Sequence, residues 1–149
     1  VPDPALQGRM LELIHKDVIR LDRLITDISN LSRLEGEIMR EKSARVDLRR
    51  LLEDLVSIYR DTAREGDAEV RLVSQVEDGA FIMGHDGPLA QVVRNLVENA
   101  RSFSPPGGVV TVELSRLARP GGAVYRVAVE DEGPGVPPDK LEKVFERFY

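Results

Sequence analysis

Residues 131–137 read Asp131-Glu132-Gly133-Pro134-Gly135-Val136-Pro137, directly after the strand-like run Val124-Tyr125-Arg126-Val127-Ala128-Val129-Glu130. A carboxylate that closes a strand, followed by two glycines that let backbone pass close to a ligand, points to a binding pocket. Alone the run is weak, because any acidic turn with two glycines matches it. A second segment upstream gives it meaning: Gln91-Val92-Val93-Arg94-Asn95-Leu96-Val97-Glu98-Asn99-Ala100-Arg101-Ser102-Phe103-Ser104-Pro105. Wound as a helix at about 100° per residue, Gln91, Asn95, Glu98, Asn99 and Ser102 fall on one polar arc. Leu89, Val92, Val93, Leu96, Val97 and Ala100 cover the other side, which is expected to pack on a sheet.

Asn95 and Asn99 stand one helical turn apart and present neighbouring amide oxygens to one region of space. Amide oxygen is a hard, neutral ligand suited to Mg2+, which keeps several waters and takes its other oxygens from phosphates. The alternative is that both merely decorate a solvated face, although asparagine is a poor helix former and two in mid-helix argue for a purpose. In the strand over residues 124–131, positions 127, 129 and 131 share a face. Asp131 is therefore expected to follow Val127 and Val129 inward, as a partly buried carboxylate in need of a donor. The rival reading has it cap its own turn before Gly133, while Pro134 and Pro137 stiffen the loop. The closing run Lys143-Val144-Phe145-Glu146-Arg147-Phe148-Tyr149 is apolar and aromatic enough to close a core.

Composition bounds what such a pocket can belong to. At 149 residues the chain fits one ordinary domain or a small domain with a helical appendage. With no cysteine, disulfides and thiolate metal sites are excluded, and two histidines argue against a multi-histidine centre. A net charge of −5 argues against nucleic acid as the main partner, because phosphate backbones want a basic surface. No run is apolar for long enough to span a membrane. The start at Val1 and the end at Tyr149 read as cuts, so the chain is expected to be a piece of a longer protein.

Outward from the motifs, residues 4–40 read as one long helix with an apolar seam at Met10, Ile14, Val18, Leu21, Ile25 and Ile28. From Ile14 the steps alternate four and three, the pattern of a helix in a coiled coil or bundle. Ser32 interrupts the seam, and Leu31 and Leu34 carry it there. Such a stripe needs a partner, which a helical hairpin pairing in a dimer supplies. Gly36 and residues 40–44 mark the joint to a second region. Asp47 is placed to cap a helix over residues 48–64, with Leu51, Leu52, Leu55, Val56 and Tyr59 inward and Gly66 as terminator. Strand-like runs follow at 70–76 and 80–83, then the helix 88–103, the strands 109–117 and 123–131 around Pro120-Gly121-Gly122, and a last helix over 138–146. Helices interleaved with antiparallel strands predict an α+β fold, a two-layer α/β sandwich preceded by a long helix.

The segments at 91–105 and 131–137 together resemble the N box and G1 box of the Bergerat-type ATP-binding domain of sensor histidine kinases, and residues 143–149 resemble its F box. Three motifs in order are far more specific than any one. Gly84-His85-Asp86-Gly87-Pro88-Leu89 is similar to the family's approach to the N-box helix, and residues 20–35 resemble the second helix of its HisKA dimerisation hairpin. The wording around residues 20–34 and 99–105 is most similar to ChvG-type envelope sensors of alphaproteobacteria.

The resemblance implies an ATP site made of Asn95, Asn99, Ser102, Phe103, Asp131, Gly133, Gly135, Val136, Phe145 and Phe148. Mg2+ would be held by Asn99 and Asn95, and the adenine amine would donate to Asp131. It implies domains at residues 1–44 and 45–149, the second ending before the lid and the G2 box. The whole protein would be a homodimeric kinase anchored in the bacterial inner membrane, with this portion cytoplasmic. It would autophosphorylate a histidine and pass the phosphoryl group to an aspartate of a response regulator. The alternative is a non-catalytic nucleotide-binding or dimerisation scaffold.

Two departures and one discriminating residue stand out. His15 lacks the adjacent acidic residue of the family's phosphoacceptor and reads as a helix-surface histidine, and His85 reads as a turn residue. No catalytic histidine is therefore expected among these residues, and the chain alone is expected to be inactive. Ser102 and Phe103 stand where the family often has a basic residue and tyrosine. Finally, the gyrase, chaperone and mismatch-repair branches of this nucleotide fold carry a water-activating glutamate where this chain has Asn95, and an amide cannot act as general base. That favours kinase over ATPase.

Overall fold

The computed structural model describes residues 3–40 and 42–143, and shows two compact units, one built on the first helix and the other spanning Glu41–Lys140. The first helix, α1 (Pro4–Arg40), runs unbroken for 37 residues and includes Gly36. Its seam residues Met10, Ile14, Val18, Leu21, Ile25 and Ile28 are all exposed. Among the described residues, no helix is long and apolar enough to cross a membrane.

The second unit begins with β1 (Ala44–Asp47), α2 (Leu48–Thr62), β2 (Glu69–Ser74) and β3 (Phe81–Gly84). It continues with α3 (Asp86–Phe103), β4 (Val109–Arg119) and β5 (Gly122–Glu130). Asp47 caps α2 as its position implies: its backbone is extended and its carboxylate accepts from Arg50 N at 3.3 Å. The helix stops at Thr62, short of the expected residue 64, and Gly66 serves the turn beyond it with φ 88°. Strand β1 was not foreseen. It lies at the end of the polar joint and pairs antiparallel with β3, Val46 opposite Ile82.

The larger sheet has the order β2-β4-β5. Here the expectation of antiparallel strands is corrected: β2 pairs parallel with β4, Val70 opposite Val110. Parallel neighbours need a crossover, and α3 lies within the one that joins them. Strands β4 and β5 form an antiparallel hairpin, with Val112 opposite Val129 and Leu114 opposite Val127. Alternation along β4 turns Val110, Val112 and Leu114 to one face, where they are fully buried. Leu52, Leu55 and Val56 of α2 and Val93, Val97 and Ala100 of α3 complete the same core. The result is a helical layer on a sheet, the two-layer α+β arrangement predicted, with the long helix before it. The expected helix over 138–146 is reduced to a three-residue 3-10 segment, Pro138–Lys140, and residues 144–146 lie outside the described residues.

Candidate functional site

Helix α3 starts two residues earlier than expected, at Asp86 behind the N-cap residue His85. It is also rotated relative to the expected packing face. Val93, Val97 and Ala100 are buried and Leu89 is half-buried, whereas Val92 is 56% and Leu96 46% exposed. At about 100° per residue the buried stripe is centred on Val93 and Val97, and Val92 and Leu96 swing toward the asparagine side. Phe103, 60% exposed, joins them. The accessible face of α3 therefore carries Asn95 and Asn99 beside an apolar strip of Val92, Leu96 and Phe103, rather than a purely polar arc.

Both asparagines are exposed. Asn95 Oδ1 accepts from Gln91 Nε2 at 2.8 Å, and Ser102 Oγ donates to the Asn99 carbonyl at 2.8 Å. Thus Asn95 is held by its neighbour one turn back, and the Ser102 hydroxyl is spent on the helix backbone. Among the described residues, no cluster of three or more His, Cys, Asp or Glu side chains is placed to hold a metal. The donors available on this face are amides, which fit a hard cation that keeps its waters and shares phosphate oxygens, and do not fit a soft or fully protein-ligated ion.

The glycine loop reaches this helix by one close contact. A Cβ at Gly133 would stand 2.6 Å from the Phe103 carbonyl oxygen, so only glycine lets the loop rest on the last turn of α3. Beside Gly133 the loop is tied down again by Glu132, whose Oε1 accepts from Val109 N at 3.0 Å. Gly135 takes φ 80°, a left-handed conformation that favours glycine. Val136 follows, half-exposed.

Asp131 is corrected. Strand β5 ends at Glu130, so the alternation does not carry Asp131 into the core. It is exposed, and its Oδ1 accepts from Gly133 N at 2.8 Å. The rival reading, a cap on its own turn, is the one the geometry shows. Capping uses one carboxylate oxygen of two, which leaves the second as an acceptor at the loop's mouth. Phe145 and Phe148 lie outside the described residues. The structure thus brings Asn95, Asn99, Phe103 and Gly133 to the C-terminal half of α3, with Asp131 and Gly135 on the adjoining loop.

One cluster was not foreseen. Arg101, its side chain 22% exposed, pairs with Asp67 at 3.3 Å and Glu98 at 3.2 Å and lies 5.1 Å from the Tyr59 ring centroid. Tyr59 has its pKa pushed from 10.0 up to about 12, first by burial and then by the neighbouring Glu98 carboxylate. Nothing in the local pattern around residue 101 announces a contact with residue 67. A separate open cleft of about 530 Å3 lies toward the other end of α3, lined in part by Val46, Leu51, Ile58, His85 and Ala90. It includes none of the residues expected to hold ATP or Mg2+, though Gly84–Gly87 of the approach to α3 line it.

Comparison with known proteins now bears on the site. The family described as histidine kinase-, DNA gyrase B-, and HSP90-like ATPase matches residues 84–149, which include both motifs. Sensor protein ChvG of Rhizobium meliloti is 42% identical, over 95% of this chain and 25% of that protein, so the chain spans a quarter of that relative's length. The solved cytoplasmic segment of histidine kinase QseC is similar at 30% identity and a TM-score of 0.54, across 91% of this chain and 76% of that one. Full-length ShkA in complex with AMPPNP is similar at 27% identity and a TM-score of 0.67, across 98% of this chain and 30% of that one.

Proposed function

The chain belongs to the sensor histidine kinases, and from that premise we propose that it supplies the MgATP-binding part of a homodimeric kinase. The observation that carries the reading is the contact of Gly133 with the Phe103 carbonyl, which unites two motifs far apart in sequence at the end of α3. Asn99, with Asn95 beside it, would hold Mg2+. The loop from Asp131 to Gly135 would take the adenine, with Val136 and the strip Val92, Leu96 and Phe103 as apolar flanks. Bound Mg2+ would neutralise phosphate charge, and such a transfer is otherwise mostly a matter of positioning. AMPPNP in the ShkA structure supports nucleotide as the ligand class.

The phosphoacceptor is assigned to a histidine outside these residues, since His15 is followed by Lys16 rather than an acid, and His85, though followed by Asp86, is the extended N-cap of α3 rather than a residue on a helix face. The phosphoryl group would pass to an aspartate of a response regulator. The whole protein is read as a sensor in the inner membrane of a bacterium, with this portion on the cytoplasmic side.

One experiment tests the nucleotide site: titration of the complete gene product with MgATP and MgGTP, followed by γ-labelled ATP and a search for acid-labile phosphate. Wild type should bind ATP in preference to GTP and acquire label. Asn99→Ala should lose Mg2+-dependent binding. Asp131→Asn keeps a capping oxygen but turns the second acceptor into a donor, and should weaken ATP binding and blunt discrimination against GTP. Unchanged labelling in Asn99→Ala sinks the metal assignment, and equal ATP and GTP affinities in wild type sink the adenine role. Binding without labelled phosphate would favour the scaffold reading.

A further inference from the structure

Arg101 is a cation within two residues of Asn99, yet it faces elsewhere. Two residues along an α-helix turn the side chain by about 200°, which takes it to the opposite flank from Asn99. There its Nη2 reaches Asp67 Oδ2 at 3.3 Å and its Nη1 reaches Glu98 Oε1 at 3.2 Å, against the ring of Tyr59. The same Asp67 Oδ2 accepts from Arg64 N at 2.9 Å, which fixes the turn before β2. That turn is bonded onward to the loop behind α3: Gly107 N donates to Gly66 O at 3.2 Å, and Glu69 N donates to Gly108 O at 2.8 Å. The next residue, Val109, donates to Glu132 at 3.0 Å, and Gly133 then packs on the carbonyl of Phe103. The contacts close into a ring that leaves α3 at Arg101 and returns to it at Phe103.

We infer that Arg101 is a positioning residue for the nucleotide site: it clamps the last turn of α3 to the turn at residues 64–67, and so sets Asn99 and the loop 131–135 relative to each other. The inference rests on the nucleotide-binding reading above. Two carboxylates already balance the guanidinium, and a fork with an aromatic face beneath it is a geometry that lysine does not reproduce. A residue bound this way contributes placement, not charge, to a phosphate.

The test compares wild type, Arg101→Lys, Asp67→Asn and the double variant in the complete gene product. ATP affinity, the Mg2+ concentration for half-maximal ATP binding, and thermal midpoint are measured for each. Both single variants should weaken ATP about twofold to fivefold, the upper range of one such charged pair, and both should raise the half-saturating Mg2+. The double variant should be no worse than the weaker single, as for two halves of one contact. Tyr59→Phe, which keeps the ring, serves as a milder third probe should Arg101→Lys fail to fold. If Asp67→Asn leaves ATP affinity unchanged or raises it while Arg101→Lys lowers it, Arg101 is a phosphate ligand and the inference falls. It falls equally if the thermal midpoint drops with no change in the Mg2+ requirement, which is the signature of a merely structural tie. Failure of wild type to bind any nucleotide overturns the underlying reading as well, and is distinct from every variant outcome.

Discussion

At Gly133 a single methyl group decides whether the two motifs meet. A Cβ there would sit 2.6 Å from the Phe103 carbonyl oxygen and 2.8 Å from Asp131 Oδ1, and the first of these is backbone that cannot swing aside. Gly135 is constrained differently: nothing lies within 4 Å of its added Cβ, but its φ of 80° is strained for any L side chain. The two glycines are therefore separable. Gly135→Ala should cost about 1–2 kcal/mol of stability, the general penalty of the left-handed region. Gly133→Ala should cost a similar 1–3 kcal/mol from overpacking and also displace the loop from α3. Thermal unfolding and ATP titration of both variants check this: nucleotide affinity should fall at least about tenfold in Gly133→Ala and much less in Gly135→Ala. Equal losses would mean that contact with α3 does not matter to binding. From sequence, both glycines were legible as permissive positions; which permission each uses was not, because φ and a tertiary contact leave no trace in the motif.

Among the elements, legibility follows the range of the forces that shape them. The Asp47 cap, the length of α1, the β4–β5 hairpin and the existence of α3 rest on local patterns and were readable. The rotation of α3 was not, because an apolar arc containing Val92, Val93, Leu96 and Val97 can seat on a sheet in more than one way, and the surrounding strands decide which. The parallel pairing of β2 with β4 likewise depends on where the crossover returns the chain. Asp131 was misread because alternation holds only while the strand does, and β5 stops one residue short. The contact between α2 and α3 makes its own prediction. Tyr59 has its folded-state pKa raised from 10.0 to about 12, burial being the larger cause and the Glu98 carboxylate the next. A raised pKa means that the folded state holds the proton more tightly, so the contribution is complete below pH 10 and is lost as pH rises toward 12. Denaturant unfolding between pH 9 and about pH 12 should show wild type losing stability faster than Tyr59→Phe, which has no proton to lose. Parallel pH profiles would remove Tyr59 from the energetics of the α2–α3 contact.

For the molecule as a whole, α1 poses a problem that its own residues do not solve. Thirty-seven residues at about 1.5 Å each make a rod of roughly 55 Å, and Met10, Ile14, Val18, Leu21, Ile25 and Ile28 stand along it more than half exposed. Each buried aliphatic side chain of this size contributes roughly 1.5–3 kcal/mol, so a stripe of six leaves a large gain unrealised in a lone helix. The spacing from Ile14 to Ile28 fits a coiled-coil or bundle seam, in which such residues insert between those of a facing helix. The Glu41–Lys140 unit, by contrast, buries its own core of Leu52, Val97, Val110, Val112 and Leu114. Dimerisation should therefore follow α1 and leave the α/β unit. Sedimentation of the chain with and without residues 4–40 tests this: the intact chain should self-associate, and the remainder should sediment as a monomer with its folded circular dichroism retained. Leu21→Asp with Ile25→Asp, which buries two charges in the seam if the helices pair, should weaken association at least about a hundredfold without altering the α/β unit. A dimer that stays equally tight without α1 would place the interface elsewhere on the molecule and leave the stripe to some other partner.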